Sequence, residues 1–286
     1  MKLIKPSFNI IEQSVGLEGI YKQIEAAGRT CYKSEDKITK DSASKFVERM
    51  VKSGHGAMLE HGTVYLKVTY KDTDCVTLSM FYSHNKYSKV THSEDNKTYY
   101  ITTNYRVLVE NNHLGDFKYL CEPTEFHERR ITVRFVCDRG VSHEFVRHRV
   151  FSFAQESTRY CNYSKDKFGN ELTFIKPCWT NIPEGDYGDI FNPKEPDITL
   201  APNEYAFIDI LRISEKYYIG LTSNGWKAQE ARAVLPNSLK TELVVTGFIS
   251  DWQHFFGLRC DKAAHPQARE LAIPLQEEFI KRGYIN

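Results

Sequence analysis

Two periodicities in the placement of apolar residues predict the secondary structure of this chain. Residues 130–137 alternate, with apolar side chains on one face and Thr132 and Arg134 on the other, which predicts a strand with one buried face. Strands are also predicted at 63–70, 73–83, 99–110 and 239–248. Apolar stripes at helical spacing predict helices at 15–28, 41–53, 203–224, 229–235, 249–259 and 266–282.

These elements predict a single α+β domain over residues 1–286, in which helices flank a mixed or antiparallel sheet. The sequence contains no internal repeat and no shift in composition that would mark a domain boundary. Residues 84–98 are polar and lack a period, so they are predicted to form a surface insertion. Residues 161–203 are rich in Pro, Gly, Asp and Asn and are predicted to form a long irregular excursion.

Composition narrows the class of protein. The 286 residues are 41% hydrophobic and 26% charged, with a formal net charge of +1, which is ordinary for a globular protein. A near-neutral charge argues against binding to nucleic acid or a membrane surface, so any anion site must be local. The N-terminus lacks the apolar core of a secretory signal, no stretch is long enough to span a membrane, and the seven cysteines are scattered without a C-x-x-C pair. We therefore expect a cytoplasmic protein with reduced thiols.

An arginine-rich stretch at residues 138–163 carries the candidate chemistry, because it contains four arginines and two histidines but no lysine. Arginine forks bind oxyanions through paired hydrogen bonds. Ser142 is predicted to cap a short helix that reaches His148, and the next segment is predicted to fold residues 157–159 back towards residues 147–149. This interpretation predicts a phosphate or pyrophosphate site. The alternative is a solvated helix face on which the arginines pair with nearby glutamates.

Several familiar motifs are not matched. His143, Glu144 and His148 depart by one residue from H-E-x-x-H, and histidines five residues apart point in different directions on a helix, so no metal site is predicted. The sequence has no G-x-G-x-x-G and no P-loop, which excludes those two modes of nucleotide binding. Cys178 has no histidine near it in the sequence and Ser157 has no G-x-S-x-G elbow, so neither is predicted to be a nucleophile.

The arginine-rich stretch contains an R-H-R-x7-S motif, formed by Arg147-His148-Arg149 and Ser157. Together with Q-E-S-T-R-Y at 155–160, it resembles the signature of the flavin-dependent thymidylate synthases. Three further blocks are similar to that family in the same order: His61 in an early E-H segment, Glu230-Ala-Arg232 before V-L-P, and Leu258-Arg259 before His265-Pro-Gln. The resemblance covers roughly residues 29–70 and 130–272.

The resemblance implies the reductive methylation of dUMP to dTMP. Methylenetetrahydrofolate would donate the one-carbon unit, FAD reduced by NADPH would supply the hydride, and no cysteine would attack the uracil ring. It also implies an α+β domain that assembles as a homotetramer, with each active site shared between subunits.

The resemblance also assigns roles by position. Arg259 would engage the uracil ring and stabilise its ionised form. The implied dUMP ligands are Glu144, Arg147, Gln155, Glu156, Ser157, Thr158, Arg159, Arg232 and Arg259. The implied FAD ligands are His61, Thr63, Arg147, His148, Arg149, Gln155 and His254. Glu144 stands where the family often has Gln.

Three other functions stay open at this point. A module that binds single-stranded nucleic acid is one, because 17 Tyr and 17 Phe accompany the arginines and could stack on bases. A metal-dependent hydrolase built from Glu60, His61, His143 and His148 is the second. A flavin-dependent oxidoreductase with a different reaction is the third, since flavin binding alone does not imply methyl transfer.

Overall fold

The computed structural model of the protein describes residues 1–72, 74–93, 95 and 97–286. Its strands are β1 Lys2–Ile4, β2 Ser7–Ile11, β3 Thr63–Thr69, β4 Lys89–His92, β5 Thr98–Asn104, β6 Arg130–Asp138, β7 Ser152–Gln155, β8 Thr173–Ile175, β9 Gly185–Asp186 and β10 Lys240–Phe248. Its α-helices are α1 Gly16–Tyr32, α2 Ser42–Lys52, α3 Gly56–Leu59, α4 Cys75–His84, α5 Tyr105–Glu110, α6 Arg139–Phe145, α7 Pro202–Ser223, α8 Ala228–Ala231, α9 Ile249–Arg259 and α10 Pro266–Lys281. Short 3-10 helices lie at Glu35–Lys37, Leu114–Tyr119, Asp166–Phe168 and Arg232–Val234.

A four-stranded antiparallel sheet of order β2-β6-β10-β7 organises the fold. Val133 of β6 lies between Ile10 of β2 and Val245 of β10, so the apolar residues of three strands share one face. Helices α6, α9 and α10 cover that face, and Trp252 of α9 is fully buried there. The alternation predicted for residues 130–137 is confirmed, and it sets the core.

Helix α1 covers the opposite face of this sheet, where Ala27 packs with Ala154 and Val244. Helix α2 packs on α1, and the ring of Phe46 lies so close to Gly28 that a Cβ there would overlap it. Gly28 therefore permits close helix packing. The sequence predicts that the helix ends at Gly28, and this prediction is wrong. Helix α1 runs on to Tyr32.

Two smaller sheets extend the molecule. An antiparallel sheet of order β3-β5-β4 packs against α4 and α5. A third sheet of order β8-β1-β9 combines one parallel and one antiparallel pairing, and its core includes the inner side of α7. The α+β class with antiparallel sheets is confirmed, although the strands form three sheets instead of one.

Three predictions around residues 73–110 are wrong in part. The strand predicted at 73–83 is helix α4, with Thr73 outside the described residues. The strand predicted at 99–110 ends at Asn104, whose side chain caps α5 by accepting a hydrogen bond from the Val107 amide. The polar insertion predicted at 84–98 contains β4, which pairs with β5, while Glu94 and Asn96 lie outside the described residues.

The helix predicted from Ser142 to His148 lies three residues earlier. Asp138 caps it through a 2.7 Å hydrogen bond from the Val141 amide, and the helix ends at Phe145. The Ser142 hydroxyl instead donates to the carbonyl oxygen of Arg139 inside the helix. The excursion predicted at 161–203 is largely irregular, but it contributes β8 and β9 to the third sheet.

Candidate active site

Arg259, the last residue of α9, is held by α6 and the loop that follows it. Its Nη1 donates to Oε2 of Glu144 at 2.7 Å, and its Nη2 donates to the Glu144 carbonyl oxygen at 2.7 Å. Its Nε donates to Nε2 of His148 at 2.9 Å. These contacts fix the plane of a guanidinium whose side chain is 14% exposed. Burial lowers the pKa of Arg259, but an arginine stays charged at neutral pH.

His148 is a buried, neutral hydrogen-bond acceptor. Burial lowers its pKa to about 4, with further lowering from the charge of Arg259 and from His254. Because Arg259 donates to Nε2, the ring proton of His148 lies on Nδ1. His148 is thus the inward-facing member of the R-H-R motif, and it orients Arg259. Arg147 and Arg149 on either side of it are exposed.

The second half of the signature lies on β7 and just after it. Gln155 Nε2 donates to the hydroxyls of Ser142 at 2.9 Å and Thr241 at 3.2 Å. The Ser157 amide donates to the carbonyl oxygen of Cys31 at 3.0 Å, which ties the segment to the end of α1. Gln155 therefore connects the β7 segment to α6, the helix that carries Glu144.

The hydroxyl groups after β7 lie beside a second pair of arginines. Arg232 Nη1 donates to Oγ1 of Thr158 at 3.4 Å, and both Arg159 and Arg232 are exposed. Within the described ranges, no hydrogen bond joins residues 157–159 to residues 147–149. The predicted folding back of this segment is wrong for a single chain, because the extended strand β7 separates the two ends.

Glu156 is part of a buried ionic network that sequence reasoning did not find. Its carboxylate is 2% exposed and accepts hydrogen bonds from Lys240 Nζ and the Tyr163 hydroxyl, both at 2.8 Å. Lys240 Nζ also donates to Glu242 at 2.6 Å, and Lys33 Nζ does so at 2.5 Å. We refer to Glu156, Lys240, Glu242 and Lys33 as the Glu156 network. This network anchors the segment that follows β7 to the protein interior, through the buried side chain of Glu156.

Burial and charge oppose each other in this network. Burial, the largest influence, acts to lower the pKa of Lys240, but its two carboxylate partners outweigh it and raise that pKa. Burial likewise acts to raise the pKa of Glu242, but Lys240 and Lys33 outweigh it and lower that pKa to about 2. Both side chains are therefore charged at neutral pH. Arg134 of β6 adds a further ion pair to Glu242.

His61 and Thr63 lie at the start of β3, beside the far end of the central sheet. His61 is 0% exposed, its Nδ1 lies 2.8 Å from Oγ1 of Thr246, and its Nε2 has no hydrogen-bond partner among the described residues. Burial and then the charge of Arg130 lower the pKa of His61 to about 3. Thr63 Oγ1 accepts from Arg130 Nη1 at 3.3 Å, whereas His254 is exposed on α9.

Two features are absent from the described part of the chain. No three His, Cys, Asp or Glu side chains are grouped there in a way that could hold a metal ion. None of the helices described combines the length and the apolar composition needed to cross a membrane.

Comparison with known proteins gives a consistent result. Residues 77–282 match the family described as thymidylate synthase complementing protein. A flavin-dependent thymidylate synthase of Corynebacterium glutamicum is 26% identical over 272 residues, which is 92% of this chain and 76% of that protein. The enzyme of the same name from Pyrococcus horikoshii is 34% identical over 146 residues, which is 51% of this chain and 52% of that protein.

Coverage differs between these relatives. For the Pyrococcus protein, as for a relative from Geobacter sulfurreducens, the matched part spans about half of the relative's length. Among solved structures, a UMP/dUMP methylase, PolB from Streptomyces cacaoi, covers 98% of this chain and 93% of its own, with 17% identity and a TM-score of 0.44. That likeness is too distant to support a function.

Proposed function

Because the chain belongs to the family of thymidylate synthase complementing proteins, the flavin-dependent thymidylate synthases, we propose that it converts dUMP to dTMP by reductive methylation. Methylenetetrahydrofolate is the proposed one-carbon donor, and NADPH is the proposed reductant. The observation that carries the proposal is the restraint of Arg259 by Glu144 and His148 beside the exposed arginines of the R-H-R motif.

The polar group after β7 supports binding of the dUMP phosphate. Arg159 and Arg232 are exposed, the Thr158 hydroxyl accepts from Arg232 Nη1, and the Ser157 hydroxyl accepts from the Arg159 amide. A phosphate accepts several charge-assisted hydrogen bonds from such a set. Glu156 supports the segment through Lys240 and Tyr163, so its part in dUMP binding is to position the neighbouring residues.

Arg259 is suited to stabilise negative charge on the uracil ring. A guanidinium has five N–H donors, and three of them are used by Glu144 and His148. The remaining N–H groups of Nη1 and Nη2 can donate to a ring oxygen as charge develops there. Because Arg259 is largely shielded from water and already oriented, this stabilisation needs little reorganisation.

The proposed FAD ligands are His61, Thr63, Arg147, His148, Arg149, Gln155 and His254. Exposed arginines fit a diphosphate, and the exposed imidazole of His254 fits a polar edge of a flavin. Nε2 of His61 lacks a partner among the described residues, but it is fully buried, so His61 would reach FAD only after the residues around it move. When bound, FAD supplies the hydride that it receives from NADPH. The protein residues bind and orient it.

The cysteines support a reaction without a thiol nucleophile. A nucleophilic cysteine needs a lowered pKa. Burial instead raises the pKa of six thiols, those of Cys31, Cys121, Cys137, Cys161, Cys178 and Cys260. Cys137 and Cys161 are buried inside the core, out of reach of a substrate.

Exposed apolar side chains next to the R-H-R motif support the proposed homotetramer. Val146, Val150 and Leu258 are 36%, 60% and 51% exposed, and the first two flank the motif in the sequence. Apolar residues grouped around a charged loop are typical of a surface that another subunit covers. A second subunit at this position would bring its own arginines to the proposed active site and so complete that site.

The proposal is tested by replacing Arg259 with Ala. We expect the variant to retain FAD, seen as the visible flavin absorbance of the purified protein, and to lose dTMP formation. The matched control is Arg282→Ala, which removes an exposed arginine paired with Glu12 and Glu278. Continued dTMP synthesis by the Arg259 variant would refute the ring-stabilising role. Oxidation of NADPH by the unmodified protein without any dTMP product would favour a different flavin-dependent oxidoreductase.

A further inference from the structure

A cavity of about 400 Å³ lies where β2 ends and β6 begins, and no role has been assigned to it. Its walls come from the turn between β2 and α1, from the start of β6 and from residues 120–123. Of the residues proposed above to bind dUMP or FAD, Thr63 alone lines it, and that hydroxyl is engaged by Arg130.

Arg130 places a half-buried positive charge in this cavity. Its guanidinium donates to neutral acceptors: the Glu60 carbonyl oxygen at 3.0 Å, Thr63 Oγ1 at 3.3 Å and Ser152 Oγ at 3.2 Å. The Glu60 carboxylate is paired with Arg106, and no carboxylate of the described residues lies within 4.0 Å of Arg130. Burial lowers the pKa of Arg130 to about 10. Glu60 and Asp251 act on this charge only from a distance, so the cation has no directly paired carboxylate, and an anion in the cavity would stabilise it.

The first turn of α1 also opens into the cavity. Ser14, Val15 and Gly16 line it, and Val15 offers no side-chain cap to the first amides of this 17-residue helix. Uncapped amides at a helix N-terminus attract anions.

A buried amide side chain faces the same space independently. Gln23 is only 5% exposed and lines the cavity, yet its side chain has no hydrogen-bond partner among the described residues. Its polar atoms are not among the buried atoms that lack a partner, so they reach the solvent of the cavity, where a ligand can accept or donate hydrogen bonds in place of water. The Tyr65 hydroxyl accepts from the Arg130 amide at 3.3 Å, so its own proton is available to a ligand.

We propose that this cavity binds a small phosphate ester. Arg130, the exposed guanidinium of Arg129, the first amides of α1 and the side chains of Gln23 and Tyr65 supply donors from different directions, as a tetrahedral phosphate requires. The volume exceeds that of phosphate alone and leaves room for an organic group. Two carboxylates also line the cavity: Glu12 is paired with Arg282, and Glu122 is exposed.

Calorimetric titration of the FAD-loaded, full-length protein with ribose 5-phosphate, and separately with inorganic phosphate, tests the site. We expect the ester to bind, and we expect Arg129→Gln and Gln23→Leu each to weaken it about tenfold or more, as loss of a hydrogen bond to a charged group implies. Lys194→Gln is the matched control, because it removes an exposed cation that lies in neither this cavity nor the proposed dUMP site and should leave this binding unchanged. Arg232→Gln is a second comparison, which detects any ester that binds at the proposed dUMP site instead. Thermal unfolding without ligand checks that each variant is folded.

The outcomes separate the sources of the signal. If inorganic phosphate bound as tightly as ribose 5-phosphate, the cavity would still be an anion site, and its ligand would be free phosphate. The proposal would be overturned if the Arg232 variant lost binding while the Arg129 and Gln23 variants bound the ester as tightly as the unmodified protein. The ester would then occupy the dUMP site. Absence of heat with either probe would also overturn it. Since dTMP synthesis is not measured, failure here leaves the proposed function intact.

Discussion

Replacing Lys240 with Met tests the Glu156 network most directly. The lysine side chain is 16% exposed, while its partners Glu156 and Glu242 are 1% and 7% exposed. Methionine keeps an apolar stem of similar length and removes the ammonium group, with its charge and its hydrogen-bond donors. Glu242 then retains Lys33 and Arg134, whereas Glu156 retains the Tyr163 hydroxyl alone among its described partners, and no cation.

The size of the effect follows from the burial of Glu156. Removing one partner of a buried ion pair leaves an uncompensated charge and typically destabilises a protein by about 3–5 kcal/mol. Since a domain is stable by about 5–15 kcal/mol in total, the Lys240→Met variant should be only marginally folded. The double variant Lys240→Met, Glu156→Gln should recover most of the loss, because a neutral amide can still accept from Tyr163.

Urea unfolding followed by tryptophan fluorescence measures these free energies, since Trp252 is fully buried. The matched control is Lys194→Met, which breaks an exposed pair with Asp186 whose side chains are 61% and 42% exposed. That control should change the unfolding free energy by no more than about 0.5 kcal/mol. If Lys240→Met destabilised the protein no more than this control, the reasoning on the buried network would be refuted.

Two further predictions concern stability. Burial lowers the pKa of His61 to about 3 and that of His148 to about 4. Below the ordinary pKa of 6.5, the unfolded chain therefore binds protons that the folded protein does not. The stability that these neutral histidines provide is complete above pH 6.5 and decreases as the pH falls towards 4. His61→Asn should reduce this slope in urea unfolding at several pH values, and an unchanged slope would count against the buried neutral state. Gly247→Ala should destabilise by about 1–3 kcal/mol, because a Cβ there overlaps the buried ring of Phe151. Thermal unfolding of Gly247→Ala with and without Phe151→Leu checks this, and absence of any rescue would contradict the overlap.

The elements that sequence reasoning identified are those with an unambiguous period. Strand β6 and helices α7, α9 and α10 fall where the sequence predicts them, because each has an apolar face that recurs with a regular period. Strand β10 also falls where it is predicted, although it is buried on both faces. Helix α4 was missed because residues 75–84 are apolar on nearly all sides, so no polar face reveals a helical period. Helix α5 was missed because aromatic and β-branched residues, which favour strands, lie on both sides of Asn104, and a cap is hard to distinguish from a polar residue within a strand.

The candidate site was predictable only where its residues are close in the sequence. The R-H-R-x7-S motif is local, so Arg147, His148 and Ser157 could be named in advance. Lys33 and Lys240 come from distant segments, and only the long-range pairing of strands brings them to one carboxylate. The burial of Glu156 had a local signal, because Ser152, Ala154 and Glu156 alternate along β7 and share its inner face.

The pairing of β7 with β10 gives the seven-residue interval of the motif a physical meaning. Ser152 pairs with Thr246 and Gln155 with Leu243, so four of the seven residues are fixed in a ladder. The interval therefore acts as a spacer of defined length and parity. Deleting one residue before Ser152 would exchange the two faces of the strand, turning Gln155 into the place of Ala154 towards α1 and Glu156 into the place of Gln155 towards α6. In this chain the number of residues in the interval is therefore as constrained as the identity of Gln155 and Glu156 within it.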